Sequence, residues 1–130
     1  QNAFISMLDR PDDIMRKFKR AVTDSEAVVA YREHKAGINN LMSIYNAATG
    51  KSFEQIEAEF EGRGYGDFKK AVGEAVVELL RPIQEKYDDY MKNKDYLADV
   101  YTKSAEKALY ISTKTLNKVY KKVGFVKREF

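Results

Sequence analysis

An all-α fold is predicted, a helical bundle containing one long proline-kinked helix and one long basic helix at the carboxyl end. Three features lead there. Apolar residues recur at intervals of three and four along most of the chain, helix start and stop signals fall at the edges of those runs, and no strand-like alternation rivals them. With 130 residues, 44% of them apolar, the chain is long enough for one domain with a modest core. No internal repeat or low-complexity stretch interrupts it.

Pro11 suits the first turn of a helix, and Asp12 and Asp13 put negative charge at its positive end. Ile14, Phe18 and Ala21 follow at helical spacing, with Met15 and Val22 beside them. Arg16, Lys17, Lys19 and Arg20 complement the carbonyl end of that helix. After the polar Thr23-Asp24-Ser25-Glu26, the run from Ala27 to Ala36 has no clear period. Val28-Val29-Ala30-Tyr31 could be extended, but no neighbouring stretch offers a partner strand. Ile38, Leu41, Met42, Tyr45 and Ala48 mark a second helix that Gly50 is placed to end. Ser52 and Gln55 form a capping-box signature for a short helix reaching about Phe60.

The glycine-rich Glu61-Gly62-Arg63-Gly64-Tyr65-Gly66-Asp67 turns the chain into its strongest helix. Phe68, Val72, Ala75, Leu79, Ile83, Tyr87 and Tyr90 form the apolar stripe of that helix, widened by Ala71 and Val76. Pro82 sits inside it and is expected to kink it, because proline lacks an amide donor and crowds the preceding turn. Lys94-Asp95 restarts the chain. A last helix runs from about Tyr96 to Val123, with room for a break near Tyr101, and Gly124 is its natural stop.

Catalysis finds little footing in these residues. There is no cysteine, so disulfides, thiolate chemistry and sulfur-ligated metals are excluded within them. His34 is the single histidine and lies in a polar stretch that reads as solvated; no metal site is expected. Glu54, Glu57, Glu59 and Glu61 read as a solvated acidic face rather than an acid–base pair. No serine, threonine or tyrosine sits in a nucleophile elbow or beside a recognisable base. The glycines lack both the offset of a dinucleotide fingerprint and the Gly-Lys-Ser/Thr of a phosphate loop, which leaves a structural turn. Asp67 is placed to cap the amides that follow. No apolar run approaches the roughly 18 residues that span a bilayer, and no basic-then-apolar leader pattern is seen, so cytoplasm is the expected location.

The last helix is more informative. At 100° per residue, Lys103, Lys107, Lys114, Lys118 and Lys121 fall within roughly 60° of one another. Tyr101, Ala105, Ala108, Leu109, Leu116, Val119, Tyr120 and Val123 lie on the other side, so the helix is expected to pack through one face and present a lysine row on the other. Lys122, Lys127 and Arg128 extend the charge. Such a row is either a solvated face or a surface for a phosphate backbone.

Several phrases in order go beyond fold class. Ala21-Val22-Thr23-Asp24-Ser25-Glu26, Gly37-Ile38-Asn39-Asn40-Leu41 with Ile44-Tyr45, and Thr49-Gly50-Lys51-Ser52 resemble the carboxyl-terminal part of bacterial tryptophanyl-tRNA synthetases. So do Phe60-Glu61-Gly62-Arg63-Gly64-Tyr65-Gly66-Asp67-Phe68-Lys69, Leu80-Arg81-Pro82-Ile83-Gln84 and Ala105-Glu106-Lys107-Ala108. The resemblance covers nearly the whole chain. It implies a class I enzyme that activates tryptophan with ATP and Mg and esterifies it to its tRNA.

Both signature motifs of that family's Rossmann-fold catalytic domain are absent from these residues, so the resemblance places no catalytic or cofactor-binding residue here. The chain opens on Gln1-Asn2-Ala3-Phe4 and enters an apolar segment at once, which reads as a piece of a longer chain. The resemblance assigns residues 1–10 to the segment after the mobile signature loop and residues 11–130 to the helical anticodon-side domain. The lysine row then has an expected partner in the anticodon stem-loop of the tryptophan tRNA, and Arg63, Tyr65, Lys69 and Lys70 become further RNA-contact candidates. Thr23, Asp24, Ser25 and Glu26 become candidates for a hinge or interdomain contact with the catalytic domain. A homodimer is implied for the complete enzyme, and neither membrane nor DNA is an expected partner. Two other readings stay open. One is a helical protein-interaction module with an exposed apolar groove; the other is a general RNA-binding domain that reads charge alone and binds unrelated stem-loops equally well.

Overall fold

The computed structural model describes residues 4–126, all helices and connecting loops. Five helices follow in order: α1 (Pro11–Lys19), α2 (Ala36–Thr49), α3 (Phe53–Glu59), α4 (Tyr65–Lys92) and α5 (Lys94–Val123). The helical bundle expected from the spacing is therefore present. The chain divides into two compact units, one ending at Lys86 and the other beginning at Tyr87.

The first unit holds the core. Ile14 and Phe18 of α1, Ile38, Leu41, Met42 and Tyr45 of α2, Ile56 of α3, Phe60, and Phe68, Val72, Val76 and Leu80 of α4 are buried together. Tyr45, Phe60 and Phe68 meet edge to face with ring centres 5.0–6.0 Å apart, a geometry that aligns each ring's positive edge with a negative face. The signals at the helix ends work as expected. Gly50 ends α2 at φ 75°, where a side chain would be strained. Ser52 and Gln55 form the reciprocal capping box of α3.

Outside α1–α4, two clamps fix the connecting segments of this unit. Asn39 accepts from the Arg32 amide at 3.1 Å and donates to its carbonyl at 2.7 Å, holding the loop before α2. Gln84 donates to the carbonyls of Met7 and Asp9 at 2.8 and 3.0 Å, which ties the segment before α1 to α4. Gln1, Asn2 and Ala3 of that segment lie outside the described residues.

Four expectations need correcting. The buried stripe of α4 is Phe68, Val72, Gly73, Val76 and Leu80, whereas Leu79, Ile83, Tyr87 and Tyr90 are exposed. Steps of four kept the contact with the first unit's core, and beyond Leu80 no residue of α4 is buried. Second, α5 runs unbroken through Tyr101. Third, α5 buries none of its residues, and Leu109, Leu116, Val119 and Val123 are 40–66% exposed. A helical stripe marks a face fit to be covered; it does not establish that a neighbour covers it. Fourth, α4 already begins at Tyr65, so Asp67 lies within the first turn and acts on the helix dipole from there. Pro82 is accommodated inside continuous helix, and Glu78, whose carbonyl loses its donor, is an exposed residue, so water can take the donor's place.

In the second unit α5 is capped at its start by Asn93, whose side chain accepts from the Tyr96 amide at 3.2 Å, and at its end by Gly124 with φ 75°. Tyr90 and Tyr96 stack across the break between helices, their planes 12° apart.

Candidate nucleic-acid interface

The most elaborate polar arrangement is built on Lys35, the residue next to His34 in a polar stretch of the sequence. Lys35 immediately precedes α2, and its side chain is wholly buried. Its ammonium, with three N–H groups, has four acceptors in range: Glu26 at 2.6 Å, the Tyr65 hydroxyl at 3.0 Å, Asp24 at 3.2 Å and the Val28 carbonyl at 3.3 Å. The Tyr65 hydroxyl in turn donates to Asp24 Oδ1 at 2.5 Å, and the Glu26 amide donates to the same oxygen at 2.9 Å. Asp24 Oδ2 is buried without a partner among the described residues. Thr23-Asp24-Ser25-Glu26 is thus tied through Lys35 to the start of α2 and through Tyr65 to the start of α4. Ala27 follows at φ 58°, a left-handed conformation that alanine adopts only when its surroundings enforce it.

The charges in this cluster support one another. The hydrogen bond from Tyr65, backed by the Glu26 amide and by Lys35, outweighs desolvation and holds the Asp24 carboxyl down to about 2. Burial works against the charge on Lys35, but hydrogen bonds to Glu26, Tyr65 and Asp24 prevail and raise its pKa. Lys35 in turn lowers the pKa of Glu26. Since the folded pKa of Asp24 lies below the ordinary 3.8, its contribution to stability is complete above that value and is lost as pH falls through about 2. Thermal melts between pH 5 and pH 2 are expected to show that loss in the natural chain, and Asp24→Asn is expected to flatten it.

The glycine-rich turn distributes its candidate residues over three places. Arg63 lines an open cleft with Ala27, Val28, Arg32 and Glu57. Tyr65 is half-buried, with its hydroxyl committed to the Lys35 cluster. Lys69 and Lys70 line a different cleft, together with Arg16 and Lys19 of α1. The supposed acidic face has local duties. Glu57 accepts from the Tyr31 amide at 2.7 Å, and Glu59 pairs with Lys51 at 2.7 Å. His34 is exposed and lies 3.1 Å from Glu26.

In the second unit the lysine row stands as the spacing implies. Lys103, Lys107, Lys114, Lys118 and Lys121 are all exposed on α5. Lys103 pairs with Asp99 at 2.6 Å, while the other four form no ion pair among the described residues. Lys127 and Arg128 lie outside those residues. Tyr110 is 70% exposed and falls in the same row, between Lys107 and Lys114. Sequence reasoning passed over it, although its angular position at 100° per residue could have shown it. The arrangement offers cations for phosphates and one aromatic face for stacking. Among the described residues no group of His, Cys, Asp and Glu side chains could hold a metal ion.

Residues 1–81 match the family model described as tRNA synthetases class I (W and Y). The chain belongs to this family. Among curated relatives, this synthetase-family chain is 44% identical over 126 residues to the tryptophan–tRNA ligase of Clostridium tetani, which covers 97% of the chain and 37% of the relative. It is 49% identical over 125 residues to that of Wolinella succinogenes, covering 96% of the chain and 38% of the relative. Its fold matches the crystal structure of tryptophanyl-tRNA synthetase from Mycoplasma pneumoniae with a TM-score of 0.69 and 25% identity, over 97% of this chain and 39% of that one. The synthetase-family chain therefore spans a little over a third of the length of these relatives.

Proposed function

We propose that this chain is the anticodon-side part of a tryptophan–tRNA ligase and that the basic row of α5 receives the anticodon arm of the tryptophan tRNA. The observation that carries this reading is the run of five exposed lysines on one helical face, with Tyr110 among them. Lysines in such a row bind a phosphate backbone irrespective of sequence, whereas base preference requires contacts such as stacking on an exposed ring. Arg63 supplies a further candidate contact.

In this reading the complete enzyme activates tryptophan with ATP and Mg, transfers it to the tRNA, works in the cytoplasm and is a homodimer. The residues present here bind and position RNA and take no part in the chemical steps. Residues 11–130 form the anticodon-side domain, and residues 1–10 join it to the signature loop of the catalytic domain. Thr23-Asp24-Ser25-Glu26 makes the interdomain contact, for which Ser25 and Glu26 are the exposed members of the segment. A protein-interaction role draws support from the exposed Leu109, Leu116 and Val119 on the other side of α5.

Fluorescence anisotropy with a labelled tryptophan anticodon stem-loop and a loop-scrambled control tests the proposal. The cognate loop is expected to bind at least about tenfold more tightly, a difference of roughly 1.4 kcal/mol. Equal affinity for both would favour charge-only binding, and absence of binding would favour the protein-interaction role.

A further inference from the structure

The first unit contains a second basic arrangement that the lysine row does not explain. Arg16 and Lys19 from the last turn of α1 and Lys69 and Lys70 from the start of α4 border a single cleft of about 770 Å³, with Met15 and Gly66 completing its wall. These residues are some fifty positions apart in sequence, and only folding brings the two pairs together. No carboxylate lines the cleft. Arg16 is held by Asp13 at 2.5 Å and Lys70 faces Glu74 at 3.8 Å, while Lys19 and Lys69 form no ion pair among the described residues.

Helix-dipole compensation accounts for half of this. Arg16 and Lys19 stand at the carbonyl end of α1, where cations are favoured. Lys69 and Lys70 stand in the second turn of α4, away from any carbonyl end, so dipole compensation does not account for them. With Arg16 and Lys70 already facing Asp13 and Glu74, Lys19 and Lys69 leave two positive charges at the cleft without a carboxylate partner among the described residues. A bound anion would supply that partner.

The rest of the lining narrows the class of anion. The wall between the charges is mainly apolar, formed by the half-buried Met15 and the aliphatic stems of the lysines and arginine. Gly66 leaves the backbone bare there, with no atom within 4 Å of where a Cβ would stand. A volume of this order lies within the roughly 300–1,000 Å³ of small-ligand sites. A flat apolar ring against Met15 with a phosphate reaching Lys19 and Lys69 satisfies both parts, and a guanidinium such as that of Arg16 stacks well on such a ring.

We infer that this cleft is a nucleoside-phosphate site, in which the base lies against Met15 and the phosphate is held by Lys19 and Lys69. The ligand is either one nucleotide of an RNA strand or a free nucleotide. The site stands on residues of the first unit alone, and its test does not depend on whether α5 receives an anticodon arm.

Titration of the ¹⁵N-labelled chain with AMP, adenosine, inorganic phosphate and a 5′-phosphorylated RNA pentanucleotide, followed by amide shifts, tests the inference. AMP is expected to move the amides of Met15, Lys19, Gly66, Lys69 and Lys70 and to bind at least tenfold more tightly than adenosine or phosphate alone. Lys19→Glu with Lys69→Glu should weaken AMP at least tenfold, as should the milder Lys19→Gln with Lys69→Gln, with the amide spectrum otherwise that of the folded chain. Tighter binding of the pentanucleotide with the same shifts would identify an RNA strand as the source, and AMP binding as tightly would identify a free nucleotide. Shifts scattered elsewhere, phosphate binding as well as AMP, or indifference to both double variants would overturn the site.

Discussion

Lys35→Met is expected to lower the melting temperature by at least about 10 °C, because truncating one member of a buried charge cluster leaves its partners without compensation. Glu26 and Asp24 would lose their nearest cation, and the Tyr65 hydroxyl the one donor it has among the described residues. The loop from Thr23 to Glu26 would then lose its tie to the start of α2. Loss of the charge rather than of packing should dominate. Lys35→Met combined with Asp24→Asn and Glu26→Gln is therefore expected to recover part of the loss in the same thermal melts. A triple variant no more stable than the single one would show that shape, not charge, is what Lys35 supplies.

Gly37→Ala is expected to cost about 2 kcal/mol, read as a lowered urea midpoint. A Cβ at Gly37 would come 2.4 Å from the Val22 carbonyl oxygen, a backbone atom that cannot swing away. The substitution would ordinarily gain up to about 1 kcal/mol of helix propensity, so the steric term has to exceed that gain for the net loss to appear. Gly66→Ala is the matched control. It lies in the first turn of α4 with open space at its Cβ position and should be neutral or slightly stabilising. Together Gly37 and Lys35 explain why the loop from Val22 to Glu26 sits where it does: one residue permits its close approach to α2, and the other holds it there.

The parts of this fold that were legible in the sequence are those determined by neighbours along the chain. Gly50, Gly124 and the Ser52–Gln55 box end or begin helices through local geometry, and each does so in the structure. The stripe Ile38, Leu41, Met42 and Tyr45 is buried because a single helix face meets the core over its whole length. Lys35 was not legible. It follows Arg32, Glu33 and His34, and nothing local distinguishes a lysine that will be buried from three neighbours that stay exposed. Its partners Asp24, Glu26 and Tyr65 are nine to thirty residues away.

The same limit explains the candidate contacts. Lys69 and Lys70 could be noticed as basic, and Arg16 and Lys19 as dipole partners, but their common cleft exists only once α1 lies against α4. In α5 the periodicity located the lysine row, because one helix suffices to define an angle. It could not say whether the apolar side is covered, which depends on what lies opposite.

The most direct test of the RNA-binding proposal is the salt dependence of affinity for the tryptophan anticodon stem-loop. The logarithm of the binding constant is expected to fall with the logarithm of salt concentration at a slope of about 3 to 5, since each neutralised phosphate contributes roughly 0.7 to 0.9. Lys114→Gln with Lys118→Gln should reduce that slope by about 1.4 to 1.8 and weaken binding without changing the melting temperature, because both side chains are exposed and unpaired among the described residues. A slope near zero, or one that the double variant leaves unchanged, would contradict RNA binding through the basic face of α5.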